Sequence, residues 1–451
     1  MLLSTELNNF KSFSSQQTVN FSPITLIYGP NSSGKSSIIQ SLMMMQQTVL
    51  AKDANSRLIP NGDSINLSKF KSLVNGMNLD KTMSFSFKYT HSYDIEEFYL
   101  KNNYRNIFGN SKPRTVNFEF DAFESTSKLK ELKFEYKRNK NEKLSYTVYR
   151  SKVDVGNSTS YTLRDSESKS LRDYVYNATN TSSKSKEAYE FVNSEMTRKL
   201  VSDYNLNLPT ILSDQSSELG NYLKKVNNDI KDLFLKFKYL GPLRSSPKSI
   251  YTNEISNYQK GQGKHNLGIE IYNGGDSLKK SINNYFSMFN IPYSLDVDNL
   301  GNDATGDIIS IKLKDLRNNT IVGPKDIGFG IGQVLPIILE SAVSENKIIC
   351  VEQPEIHLHP RLQANLADLF VDSVTKEHGN QWIIETHSEA LMLRIQKQIR
   401  EGKISSDLVS FVYVDVGDEG AVITELPLDE DGDFTVHWPS DFFEERLKEL
   451  S

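Results

Sequence analysis

The stretch GPNSSGKSS, residues 29–37, has the residue types and spacing to hold phosphate. It fits G-x-x-x-x-G-K-[ST], with Gly29, Gly34, Lys35 and Ser36 at the fixed positions. The glycines let the backbone through Pro30, Asn31, Ser32 and Ser33 and on to Ser37 curl, so that its N–H groups point inward at phosphate oxygens. Lys35 is expected to reach β- and γ-phosphates, and the Ser36 hydroxyl to ligate Mg2+. A chance Gly/Ser turn is the bland alternative. Against it, the apolar run ITLIYG at 24–29 enters the loop, and a helix-like segment from about Ser36 to Val49 leaves it.

A second stretch, CVEQPEIHLHP at 350–360, brings a hydrophobic run to an end in Glu352. Strands of this kind present carboxylates to Mg2+ and to a water, often as two acids in a row. Here the second position is Gln353, and the next carboxylate, Glu355, stands past Pro354. An amide cannot accept a proton as a carboxylate does, but it can orient a water by hydrogen bonding. Two further stretches flank this one. GFGIGQ at 328–333 reads as a glycine-rich turn before the helix VLPIILESAV, and WIIETHS reads as a strand ending in Thr386, His387 and Ser388.

The elements that must position these groups follow from hydrophobic pattern. From about residue 308 to 414 strands and helices alternate: IISIKL, GQVLPIILESAV, KIICVE, RLQANLADLFVDSV, QWIIET, EALMLRIQKQI, LVSFVYVDV. This predicts an α/β core with parallel strands, completed by the first strand–loop–helix unit. MSFSFKYT, TVNFEFDAF, LKFEYK and LSYTVYR alternate instead, as antiparallel strands with one wet face do. Lys128, Lys130, Lys133, Lys137, Arg138, Lys140 and Lys143 make that region basic: a solvated hairpin, or a contact for a phosphate backbone. The Ser/Asn-rich run DSESKSLRDYVYNATNTSSKSKEA reads as an exposed linker, and a helix is expected near 221–237. The Met43–Met45 run reads as core packing rather than a soft binding surface. DEDGD at 429–433 reads as a turn.

Bulk composition is that of a soluble protein of two lobes or domains: 451 residues, net charge −5, one cysteine. No apolar run approaches the roughly 20 residues of a membrane span, and no basic n-region precedes an apolar stretch at the start. The lone Cys350 excludes an intrachain disulfide and suits a cytoplasmic protein.

The order and spacing of the four chemical stretches resembles the ABC-type ATPase heads of the SMC, Rad50 and RecF group. The resemblance implies an α/β P-loop head with a mixed or parallel core sheet, an antiparallel β lobe and a helical insertion. Gly328, Phe329, Gly330, Gly332 and Gln333 would form the signature turn, acting in trans on ATP bound to a second subunit; Ile331 departs from the family's first glycine. His357, Leu358 and His359 would form the D-loop at the dimer seam. That placement competes with a metal site made of Glu355, His357 and His359. Glu352 would join Ser36 at Mg2+, mostly through water. Gln353, Glu355 and His387 would handle the attacking water and the γ-phosphate.

NNFKSF, YLGPLRSSP, VEQPEIHLHP and FTVHWPSDFFEERLKEL narrow the likeness. Together they resemble a prokaryotic group of stand-alone AAA-type ATPases with a short C-terminal domain of unknown function, DUF3696. That group is a cousin of the ATPase half of OLD proteins and is similar to ATPases of the Septu, PARIS and retron-associated anti-phage systems. On this reading the segments are 1–80 (ATPase core with phosphate loop), 81–160 (β lobe), 161–305 (linker and helical insertion), 306–415 (rest of the core) and 416–451 (DUF3696-like end). The implied ligands are ATP and Mg2+. The implied partners are a second copy of the chain, or more, and a separate effector, an HNH or Toprim nuclease. The absence of heptad arms argues against long-range DNA tethering, and about 60 residues after His387 are too few for a Toprim domain. Alternatives are a RecF- or Rad50-like DNA-repair ATPase and a nucleotide-dependent scaffold with little hydrolysis.

Overall fold

The structure, a computed structural model, describes residues 1–51, 57–90, 112–123, 126–137, 143–150, 160–165, 200–201, 218–242, 244, 248–252, 267–375 and 379–437. The linker at 166–188, Arg138, Lys140 and the end of the C-terminal motif lie outside them. In chain order the first strands are β1 (Leu2–Asn8), β2 (Gln17–Asn20), β3 (Ile24–Tyr28), β4 (Met83–Tyr89), β5 (Arg114–Phe123) and β6 (Thr126–Lys137). Next come β7 (Lys143–Arg150), β8 (Ser160–Asp165), β9 (Leu200–Val201), β10 (Phe237–Leu240), β11 (Ile250–Thr252) and β12 (Tyr293–Asn299). The last are β13 (Ile308–Asp315), β14 (Ile321–Val322), β15 (Ile348–Glu352), β16 (Gln381–Glu385), β17 (Val409–Gly417) and β18 (Gly420–Leu426).

Two compact units divide the chain. One comprises Met1–Asn20, Gln40–Phe237 and Asp415–Ile423; the other comprises Phe21–Ile39, Lys238–Val414 and Thr424–Ser451. The first is built on an eight-stranded sheet in the order β2-β1-β4-β5-β6-β7-β8-β9. Every pairing is antiparallel, as the alternating sequences predict. Phe87, Phe118 and Phe234 interlock edge to face, which joins the sheet to the helix Glu218–Phe234. Gln46 then caps that helix by donating Nε2 to the carbonyls of Phe234 and Phe237. Met43, Met44 and Met45 are buried, the packing role expected of them.

The second unit is built on the parallel strands β15, β16 and β3 of a six-stranded sheet, β10-β15-β16-β3-β17-β18, and on a smaller sheet, β11-β13-β12 with β14 paired to β13. β15, β16, β3 and β17 run parallel. All positions of β3, β15 and β16 are buried, as strands covered on both faces must be. Helices Phe329–Val343, Pro360–Thr375 and Glu389–Arg400 alternate with β15, β16 and β17 in sequence. Their apolar faces and the strands share one core, with Phe370 tilted against Trp382 at 4.6 Å between ring centroids. One expectation fails. IISIKL is β13, and it pairs antiparallel with β12 outside the parallel core. Its alternating burial is the physical signal, since a doubly covered parallel strand would be apolar at every position. DEDGD is a turn, with Asp429 Oδ1 accepting from the backbone N–H groups of Asp431 and Asp433. Among the described residues no helix is long and apolar enough to cross a membrane.

The first unit contains a buried ion pair. Arg114 Nε lies 3.3 Å from Asp229 Oδ1, and the Tyr89 hydroxyl donates to Asp229 Oδ2 at 2.7 Å. Removing one member leaves the other charge buried, at a cost of about 3–5 kcal/mol. Asp229→Ala is expected to lose that much in urea unfolding, and Tyr89→Phe about 1.5–3 kcal/mol for a hydrogen bond to a charge. A loss under about 1 kcal/mol for Asp229→Ala would show that the pair does not hold the unit together.

Candidate functional site

β3 delivers the phosphate-loop sequence. Gly29 has φ +146°, and a Cβ there would stand 2.1 Å from the Val414 carbonyl oxygen, so no side chain fits. Gly34 has φ +112° and Ser32 φ +63°, so the loop turns through the left-handed region at a residue that resists it. Lys35 folds back over the loop, donating Nζ to the carbonyls of Gly29 at 2.9 Å and Pro30 at 2.6 Å. Burial lowers its pKa, and Glu385 and Glu355 pull it partly back. The helix Lys35–Leu50 starts there, and Ser37 N donates to the Gly34 carbonyl.

Ser36 Oγ donates to Glu385 Oε1 at 2.8 Å. Glu385 ends β16, directly beside Glu352 at the end of β15. Glu352 Oε1 accepts from the Tyr239 hydroxyl at 3.1 Å; burial, and then Glu352, raise the Tyr239 pKa and keep it a donor. Gln353 has φ +45°, strained for a residue with a side chain, and its N–H donates to the Glu385 carbonyl at 2.7 Å. Glu355 accepts twice: from Thr386 Oγ1 at 2.8 Å and from the His387 N–H at 2.7 Å. Burial raises its pKa, and these donors pull it back. Glu355 therefore fixes the backbone of His387. Burial, and then Lys35, lower the His387 pKa, which favours the uncharged imidazole.

The glycine-rich stretch differs from the turn expected. Phe329, Gly330, Gly332 and Gln333 already belong to the helix Phe329–Val343, and only Gly328 stands before it as N-cap. Neither Gly330 nor Gly332 has positive φ. Gly330 serves close approach: a Cβ there would lie 3.0 Å from the His357 carbonyl oxygen. His357 is exposed at φ +61°, Leu358 is buried in the core, and His359 Nδ1 accepts from the Arg361 N–H at the start of the helix Pro360–Thr375. Among the described residues no group of three or more His, Cys, Asp or Glu is arranged as a metal site, so Glu355, His357 and His359 do not form one.

Arg244 is the residue that the sequence pattern alone leaves without a role. It is buried, and its guanidinium donates to the carbonyls of Gly241, Glu352, Gln353 and Gln333 at 2.9–3.1 Å. Gln333 clamps it in turn: its amide Oε1 accepts from Arg244 N–H and its Nε2 donates to the Arg244 carbonyl. Gln333 thus faces inward, toward Arg244, and not toward the phosphate loop. Burial pushes the Arg244 pKa down to about 10, with Glu355 pulling it back, so it stays charged. Glu385 also escapes a search for motifs. The signal available was its place as the last residue of a parallel strand, the same place as Glu352.

The residues fit a Mg2+–nucleotide pair. Ser33 Oγ and Glu385 Oε2 are buried polar atoms without a hydrogen-bond partner. Mg2+ usually takes one or two carboxylates, phosphate oxygens and waters, and so needs no cage of protein ligands. Ser36 and Glu352 would hold it.

A glycine loop between a buried strand and a helix, beside two strands that end in carboxylates, defines an α/β P-loop protein. The chain belongs to the AAA ATPase domain family, whose model matches residues 1–392; it is an ATPase of that type. Comparison with curated proteins returns no match. Among solved structures it is similar to an SMC head bound to the C-winged helix domain of ScpA, at 12% identity and TM-score 0.49, over 95% of this chain and 98% of that one. It is also similar to the SMC head domain from Thermotoga maritima, at 12% identity and TM-score 0.40, over 95% and 99%. A third is the Smc head domain with an extended coiled coil bound to the C-terminal domain of ScpA derived from Pyrococcus furiosus, at 11% identity and TM-score 0.43, over 100% and 98%.

Gly29→Ala is expected to abolish binding of a fluorescent ATP analogue, because Val414 cannot yield the space. Arg244→Lys is expected to weaken that binding and to lower the melting temperature, because an ammonium is a point donor and cannot span the same four carbonyls. Wild-type binding and melting in Arg244→Lys would show that the staple is dispensable.

Proposed function

We propose that the chain is a nucleotide switch that binds Mg-ATP between two subunits. The observation that carries this reading is the shared strand edge, where the phosphate loop, Glu352, Glu385 and the Glu355–His387 pair converge. Phosphoryl transfer asks a protein mainly for positioning and for stabilisation of charge. Lys35 and the loop N–H groups bind phosphate. Ser36 and Glu352 would hold Mg2+, which would supply charge neutralisation at the phosphate oxygens. His387, its backbone fixed through Glu355, would bond the γ-phosphate or a water. The helix Phe329–Val343 has no side-chain cap at Gly328. Its first N–H groups suit a phosphate presented by a second copy.

Gln353 gives this switch a slow reset, since an amide orients water without taking its proton. In single-turnover assays wild type is expected to hydrolyse ATP slowly, Gln353→Glu faster, and Glu355→Ala more slowly than wild type. Fast wild-type turnover that neither substitution alters rules this out. Light scattering should show a dimer with ATP that Lys35→Ala fails to form.

The biological reading is control of a separate nuclease of HNH or Toprim type in anti-phage defence, supported by the motif likeness to DUF3696 and OLD-type ATPases. A neighbouring nuclease gene whose product responds to ATP only with this chain present is the expected finding. The DNA-repair alternative draws less support. Lys128 is buried, Lys130 pairs with Glu119 at 3.2 Å, and Lys133 pairs with Glu135 at 3.0 Å. Salt-dependent DNA binding by the isolated protein would favour it.

A further inference from the structure

We propose that Glu385 is a positioning residue of the ATPase site: a second carboxylate near Mg2+, which accepts from a cation-bound water beside Ser36 and Glu352. The inference rests on the Mg-ATP reading above and adds a residue to it.

Three observations point to Glu385. First, its place is fixed by register. Glu385 pairs with Glu352 on one side and with Ile27 on the other, so two carboxylates end neighbouring parallel strands at one level, next to the strand that feeds the phosphate loop. Second, it already touches the hydroxyl assigned to the cation: Ser36 Oγ donates to Glu385 Oε1 at 2.8 Å. A serine oxygen can lend a lone pair to a cation while its proton stays on this hydrogen bond, so no proton has to move. Third, Glu385 is 3% exposed, and its Oε2 has no hydrogen-bond partner. A buried carboxylate oxygen left unpaired is costly, and a cation with its waters is a group that removes the cost.

The other acidic candidates are committed elsewhere. Glu355 uses one oxygen on Thr386 and the other on the His387 N–H. Lys35 could neutralise Glu385, but its Nζ hydrogen bonds run to the Gly29 and Pro30 carbonyls. If Glu385 did no more than hold Ser36, a glutamine would serve as well, because its amide oxygen accepts the same hydrogen bond.

The test uses the full chain and Mn2+ as probe. Free Mn2+ is measured by electron paramagnetic resonance while Mn2+ is titrated against protein with a non-hydrolysable ATP analogue. Metal-free nucleotide binding is measured by fluorescence in chelator. Glu385→Gln is expected to bind Mn2+ about 10–100-fold more weakly, with metal-free nucleotide binding unchanged. Glu385→Asp is expected to fall between it and wild type. Wild-type Mn2+ affinity in Glu385→Gln overturns this inference alone. Wild type that binds no nucleotide overturns the Mg-ATP reading and this inference with it. Should Glu385→Gln fail to fold, Glu385→Asp decides: its Mn2+ affinity falls with nucleotide binding intact, or it matches wild type and the inference is wrong.

Discussion

The in-register parallel pairing of β15, β16 and β3 is the constraint on which the site depends. Parallel strands paired without slippage end at one level, and here that level carries Glu352, Glu385 and the entry to the phosphate loop. A slip of one residue in β16 would turn Glu385 to the other face of the sheet and Ile384 toward Ser36. Register is protected by burial: every residue of the three strands is buried, so a slipped strand would bury Glu385 in the core and strip packing from Ile383 and Ile384. The apolar core therefore does more than stabilise the unit. It sets the spacing of two charges.

Arg244 extends the same logic to the parts of the site that are not strand. Its guanidinium draws the carbonyls of Glu352 and Gln353 and that of Gln333 to one cation. The end of the acidic strand and the first turns of the helix Phe329–Val343 are therefore tied to one side chain. The positive φ of Gln353 becomes intelligible in this setting, because its N–H is held by Glu385 and its carbonyl by Arg244. Backbone strain of this kind persists only where neighbours over-determine it. His357, also at positive φ, lies against Gly330 of that helix, so two strained residues flank one rigid joint.

Much of this was legible in the sequence, and for identifiable reasons. The phosphate loop is read from local chemistry, since glycine spacing and a lysine act within nine residues. The antiparallel strands are read from alternation, and β3, β15 and β16 from unbroken apolar runs. What was not legible depends on tertiary partners. The pattern at 328–333 suggests a turn because glycine usually means one, yet here glycine serves close approach to His357. Arg244 and Gln333 stand 89 residues apart, so no local pattern joins them.

The carboxylates show how far local reading can carry a mechanism. From spacing alone Glu355 is the natural substitute for the base that Gln353 replaces. Its two hydrogen bonds give it a different task, since a carboxylate that orders Thr386 and the His387 backbone cannot also follow a water freely. Glu385, two residues before His387, is bonded through one oxygen only, on the hydroxyl of the phosphate-loop serine. Glu355 is thus committed through both oxygens to Thr386 and the His387 backbone, while Glu385 keeps one buried oxygen without a hydrogen-bond partner, which suits it to the cation role proposed above. With no carboxylate at 353, the proposed switch would have to draw on these neighbours for the charge that orients a water. The strand-end positions of Glu352 and Glu385 are fixed by register, which gives the proposed switch a second reason, beside the glutamine, for a slow reset.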